Sequence, residues 1–154
     1  MKDKLGIYAG SFNKFHIGHK NIFDKAENIL GENNVIIAIG INPSKDQTIL
    51  EAKENADNIE EKLNKKVIVY KCFLHELILQ YSESYDVVLI RGLRSGYDLD
   101  HEENQLRYIK EFLPKDFNLN VMFLMCDEEY KHISSSAIRQ LEKFKEHSGN
   151  KYIV

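Results

Sequence analysis

A chain of 154 residues with 43% apolar and 29% charged side chains has the composition of an ordinary globular domain, which excludes an intrinsically disordered segment. The formal net charge of −3 supplies no basic field for nucleic acid, and no apolar run approaches the roughly 20 residues of a membrane span. The N-terminus carries no signal-like apolar region, and Cys72 and Cys126 are too few and too far apart for a disulfide framework or a zinc site. The expectation is one cytoplasmic domain over residues 1–154, with buried reduced thiols and neither a nucleic-acid nor a membrane partner.

Strand and helix patterns alternate along the chain. Leu5 to Ala9 is a short apolar run, followed by a helical stripe at Ile22, Ala26 and Ile29-Leu30. Val35 to Ile39 is a second continuous run, and Ile49, Ala52, Ala56, Ile59 and Leu63 recur at helical spacing after it. Val67 to Tyr70 precedes a short helix marked by Leu74, Leu77 and Ile78. Val87 to Ile90 is next, with a helix through Leu106, Ile109 and Leu113 stopped near Pro114. Val121 to Met125 and a last helix at Ile138, Leu141 and Phe144 complete the order. Strands that are apolar throughout suit a parallel sheet covered on both faces. The pattern predicts a Rossmann-like α/β fold, a doubly wound five-stranded parallel sheet with helices on both faces. Its ligand crevice lies at the strand C-terminal ends.

The chemistry-bearing segments follow predicted strands. Gly10 can take the backbone geometry of a tight turn, and Ser11 adds a hydroxyl beside it. His16 and His19 lie three apart at the next helix start and can face one ligand, with Gly18 between them allowing a phosphate close to the backbone. Two histidines without a carboxylate make a poor metal site. Lys45, in Asn42-Pro43-Ser44-Lys45, places an ammonium at the sheet mouth. Arg91 and Arg94 bracket Gly92-Leu93 and offer planar forks to phosphate oxygens, in a place where a structural ion pair is not expected. Ser134, Ser135 and Ser136 read as a helix N-cap or as hydroxyls for β- and γ-phosphates.

Gly10-Ser11-Phe12 followed by His16-Ile17-Gly18-His19, with a late Ile133-Ser134-Ser135-Ser136, resembles the nucleotidyltransferase superfamily with the His-x-Gly-His motif. Asn42 to Lys45 and Arg91 to Arg94 are similar to the corresponding segments of the phosphopantetheine adenylyltransferase family. That resemblance covers nearly the whole chain. It implies transfer of AMP from ATP to 4′-phosphopantetheine in coenzyme A synthesis, with Mg²⁺ as cofactor and a homo-hexameric assembly. His16 replaces the more usual threonine of this family's motif, which brings it closer to cytidylyl- and nicotinamide-nucleotide-transferring relatives. A sister transferase with another donor or acceptor, or a non-catalytic nucleotide-binding module, are the alternatives.

Carried over position by position, the resemblance implies catalytic roles for His19, Lys45 and Arg94. ATP contacts are implied for Ser11, Phe12, His16, His19, Gly92, Leu93, Arg94 and Glu102, and for the loop Tyr130, Lys131, His132, Ile133, Ser134, Ser135 and Ser136. Acceptor contacts are implied for Ser11, Lys45, Leu77 and Arg91. No protein metal ligand is implied, since Mg²⁺ travels with phosphates and water.

Overall fold

The computed structural model describes residues 1–41, 48–145 and 149–154. Five strands, β1 (Lys4–Gly10), β2 (Val35–Gly40), β3 (Val67–Tyr70), β4 (Asp86–Leu93) and β5 (Asn120–Met125), pair in parallel in the order β3-β2-β1-β4-β5. The helices are α1 (Ile17–Leu30), α2 (Ile49–Leu63), α3 (Leu74–Ser82), α4 (Gly96–Phe112) and α5 (Ser135–Phe144). This is the expected Rossmann-like architecture. The order reverses between β1 and β4, so the crevice rule places a ligand beyond Gly10 and Leu93.

Two apolar layers flank the sheet. On one face Ile22, Phe23 and Ala26 of α1 and Ala52, Ala56 and Ile59 of α2 pack over Ile37, Ile39 and Ile90. On the other, Leu77 and Ile78 of α3 and Leu106 of α4 pack over Ile7, Ala38 and Leu89. Continuous apolar strands are thus buried on both sides, which is why they lack alternation.

Several expectations are corrected here. Ile29 is 59% exposed and Phe23 replaces it in the buried stripe of α1, because 22, 23 and 26 face the sheet together. Leu113 caps α4 instead of extending it, the chain turning extended ahead of Pro114. Phe144 lies on the exposed side of α5, whose buried anchor is Ile138. Cys126 is buried, but Cys72 is half-buried; both are free thiols. β4 runs past Ile90 to Leu93, where Arg91, Gly92 and Leu93 pair with Phe123, Leu124 and Met125. Ladder pairing uses backbone groups, so a charged side chain does not end the strand.

A terminal segment returns to the crevice. Ile153 forms an antiparallel bridge with His16, the Val154 amide donates to the Phe15 carbonyl at 3.3 Å, and Lys62 Nζ donates to the Val154 oxygen at 2.6 Å. Among the described residues no helix is long and apolar enough to cross a membrane.

Candidate active site

The chain leaves β1 through Ser11 into a turn whose strained residue is Phe12, at φ 46°. A left-handed backbone at a bulky residue is unfavourable by about 1–2 kcal/mol, so the surroundings must hold it. They do so from two sides. The Phe12 ring packs edge-on against Tyr8 at 5.0 Å, Phe15 at 5.5 Å and His19 at 5.0 Å, and Asn55 of α2 donates to the Phe12 carbonyl at 2.6 Å. The turn geometry expected of Gly10 therefore falls on Phe12. Gly10 ends the strand, and a Cβ there would lie 3.0 Å from the Phe12 ring.

His16 and His19 cap α1 reciprocally. The Gly18 amide donates to His16 Nδ1 at 3.1 Å, the His19 amide does so at 3.4 Å, and the His16 amide donates to His19 Nδ1 at 3.1 Å. This is a capping box built from two imidazoles. Their rings stack at 3.7 Å and 18°. Gly18 is required for this arrangement, since a Cβ would sit 3.0 Å from the His16 ring. Each Nδ1 accepts a backbone N–H, so each neutral ring carries its proton on Nε2. Burial, helped by the Arg94 guanidinium, pushes His16 down to about 4. Burial first, then His16 and Arg94, holds His19 well below the ordinary histidine range. At neutral pH both rings are uncharged, and each Nε2–H is a neutral donor.

Two cavity lobes meet over these rings. One, of about 240 Å³, is lined by His16, Gly18, Gly92, Leu93, Arg94, Tyr130 and Ile133, with Ile22 and Cys126. The other, of about 370 Å³, is lined by Ser11, Phe12, Asn13, Arg91, Glu102, Gln105, Ser136 and Arg139. Tyr8, His19, Gly92 and Ser134 lie on the walls of both. The first lobe mixes apolar walls (Ile22, Leu93, Ile133) with polar ones and suits a base and sugar, while the second is rich in cations and hydroxyls and suits phosphate. His19 sits at the seam.

Arg91 is less free than its sequence position implies. Its Nε donates to Glu102 at 2.6 Å, Nη2 to Gln105 at 2.6 Å and Nη1 to the Ala9 carbonyl at 3.3 Å. A structural ion pair does occupy this place, because α4 packs against the end of β4 and supplies Glu102 one turn before Gln105. A guanidinium has five N–H donors, so one on each terminal nitrogen is left for an incoming anion. Arg94 lines the smaller lobe and also carries a structural ion pair: its backbone N–H donates to Asp98 at 2.8 Å and its Nε meets the same carboxylate at 3.4 Å, one helical turn away.

The remaining predicted residues divide. Ser134 is the N-cap of α5, accepting from the Ala137 amide at 3.0 Å, and Ser136 accepts from Arg139 at 3.1 Å. Ser134 is thus cap and cavity wall at once, and Ser136 lines the larger lobe. Ser135 opens α5. Lys131 pairs with Glu128 at 3.4 Å and His132 stands edge-on to Tyr152, away from the walls of either lobe. Leu77 belongs to the core beneath the opposite face of the sheet. Lys45 lies outside the described residues. Tyr8, Asn13, Gln105 and Cys126 line the walls without having been assigned from sequence. Arg139 was signalled by its place one turn after the serine run, whereas Tyr8 was hidden in an apolar strand.

Comparison with known proteins fixes the family. Residues 7–141 match the family described as Cytidylyltransferase-like, a span containing every wall residue of both lobes. A phosphopantetheine adenylyltransferase of Mycoplasma capricolum is 33% identical over 143 residues, covering 92% of this chain and 99% of the relative. The chain belongs to the phosphopantetheine adenylyltransferase family. Proteins of the same name from Porphyromonas gingivalis and Streptococcus suis are 32% and 30% identical, covering 94% and 97% of this chain and 90% of each relative. In this family member the tail residues that bridge to His16 lie beyond the matched span.

Proposed function

We propose that this chain is an adenylyltransferase that moves AMP from ATP to 4′-phosphopantetheine, giving dephospho-coenzyme A and pyrophosphate. The observation that carries the reading is the pair of lobes joined at His19. A lobe of mixed polarity that suits a nucleoside and a lobe lined by Arg91 and Arg139 share one wall where His19 offers a neutral Nε2–H donor.

The acceptor's phosphate oxygen attacks the α-phosphorus of ATP in line. A new P–O bond forms, the bond from the α-phosphorus to the bridging oxygen breaks, and pyrophosphate leaves with that electron pair. Such a transfer needs positioning and charge stabilisation more than covalent help. His19 Nε2–H donates to a non-bridging α-oxygen as charge is redistributed, and His16 backs it through their stacked rings. Ser134, Ser136 and Arg139 at the start of α5 receive the leaving phosphates, where backbone N–H groups add a positive dipole end. Arg94 covers the nucleotide. The two free N–H donors of Arg91 and, as the resemblance implies, Lys45 take the acceptor phosphate.

Among the described residues no group of three His, Cys, Asp or Glu converges as a metal cage. Glu102, on the wall of the larger lobe, is engaged by Arg91. Mg²⁺ therefore fits as an ion carried by the triphosphate and water, offsetting its charge. A cytoplasmic, homo-hexameric enzyme completes the proposal.

Pyrophosphate release with ATP or CTP as donor and 4′-phosphopantetheine or nicotinamide mononucleotide as acceptor tests it. The highest kcat/KM belongs to ATP with 4′-phosphopantetheine. The imidazole at position 16 favours one second reading, a cytidylyltransferase, and a higher kcat/KM with CTP would replace the first by it.

A further inference from the structure

Tyr8 lies on β1 with its side chain 5% exposed, on the wall shared by both lobes. Its ring is fixed edge-on against Phe12 at 5.0 Å. The other two polar side chains at the seam each make a hydrogen bond within the protein: His19 accepts from the His16 amide at Nδ1 and Ser134 from the Ala137 amide. The Tyr8 hydroxyl, by contrast, makes no hydrogen bond among the described residues. A buried phenol usually finds a partner, and leaving one without is destabilising. The fold keeps this phenol on the wall shared by both lobes all the same, where a phenylalanine would pack as well.

We propose that the Tyr8 hydroxyl is a ligand-binding donor, hydrogen-bonded to an anionic phosphate oxygen of a ligand that crosses from one lobe to the other. The surroundings select an anion. Arg91 and Arg94 stand on the two sides of the seam, and the carboxylate of Glu102 is engaged by Arg91. Burial pushes the Tyr8 phenol up, with the Arg91 guanidinium pulling it back only in part, so the group stays protonated and donates at any working pH. Its role differs from that of His19, whose donor is fixed by a capping bond. The Tyr8 O–H rotates and can follow the phosphate oxygen along the seam.

The adenylyltransferase reading supplies only the identity of the anion. Tyr8→Phe keeps the ring and its contact with Phe12 and removes one oxygen. ATP binding is measured by calorimetry and pyrophosphate release by turnover, on wild type and variant together, with the thermal midpoint of each. A lost hydrogen bond to a charged oxygen weakens ATP binding about tenfold to a hundredfold. The midpoint without ligand holds or rises, since an unsatisfied buried hydroxyl has gone. An ATP affinity within about twofold of wild type overturns the proposal, as does a wild type that does not bind ATP or a variant with a lowered midpoint. A wild type that binds ATP more tightly than the variant but releases no pyrophosphate leaves Tyr8 as assigned and removes the catalytic reading alone.

Discussion

His19 does two jobs with two nitrogens, and substitution can separate them. Its Nδ1 accepts the His16 amide at 3.1 Å and closes the capping box, while Nε2 carries the proton on a ring that lines both lobes. Alanine removes both functions and also the ring stacked on His16 at 3.7 Å, so its effects would be confounded. Asparagine places an oxygen near the Nδ1 position and nothing at Nε2, whereas glutamine can reach the Nε2 position and leaves the cap open. A fixed donor to charge developing in the transition state contributes about 10²–10³ in kcat, or about 3–4 kcal/mol. An N-cap contact contributes about 1 kcal/mol of stability. His19→Asn is therefore expected to lose about 10²–10³ in kcat with a small effect on KM for ATP, and to lower the thermal midpoint only by the ring contacts that His19→Gln loses as well. His19→Gln should retain more turnover and melt lower. Steady-state pyrophosphate release and thermal denaturation on the same samples read both quantities. If His19→Asn turns over near the wild-type rate, the catalytic donor is elsewhere and His19 is a helix cap.

Arg91→Ala should weaken binding of 4′-phosphopantetheine by about 1.5–3 kcal/mol and leave ATP binding largely intact. It should also lower the midpoint, because Glu102 loses its partner; calorimetry showing equal losses for both ligands sinks the assignment. His16 carries a pH prediction. Its folded value of about 4 lies below the ordinary 6.5, so an unfolded chain takes up a proton that the folded one refuses. The stability is fully present above pH 6.5 and is lost as pH falls toward about 4, on the order of 3 kcal/mol. His16→Thr keeps an acceptor for the Gly18 amide and should flatten that slope in denaturation series, and an unaltered slope would assign the titration to another group. Asn55→Ala removes the bond that holds the Phe12 carbonyl and should destabilise by about 1 kcal/mol in urea titration, with slower turnover as the Phe12 ring loosens against His19.

The fold was legible because its strands are apolar on both faces, a pattern with few other solutions. Val35 to Ile39 and Val87 to Ile90 could hardly sit elsewhere than at the centre of a parallel sheet. The crevice followed from topology, and the His-x-Gly-His and serine segments landed on it. What escaped was whatever depends on partners distant in sequence. Arg91 reads as a free cation until α4 folds back and presents Glu102 and Gln105 to it. Tyr8 reads as one more strand residue, since nothing local says that it lines two cavities at once. Leu77 follows the helical spacing of a core residue, and it is one; the acceptor contact implied by resemblance does not match its burial beneath the sheet. At Gly10 and Phe12 the sequence favours the glycine for the left-handed position, but packing of the aromatic ring among Tyr8, Phe15 and His19 outweighs the local preference.

The bridge between Ile153 and His16 joins residues far apart along the chain, so closing it carries a large loop entropy and few local contacts assist it. The sheet strands pair through their own ladders and do not depend on it. It follows that the segment around Phe15 and His16 can open while the sheet stays shut, and amide hydrogen exchange at Val154 and at the first turn of α1 should proceed faster than at Ile37 or Leu89. A ligand that grips His19 would slow exchange at both ends of that bridge together.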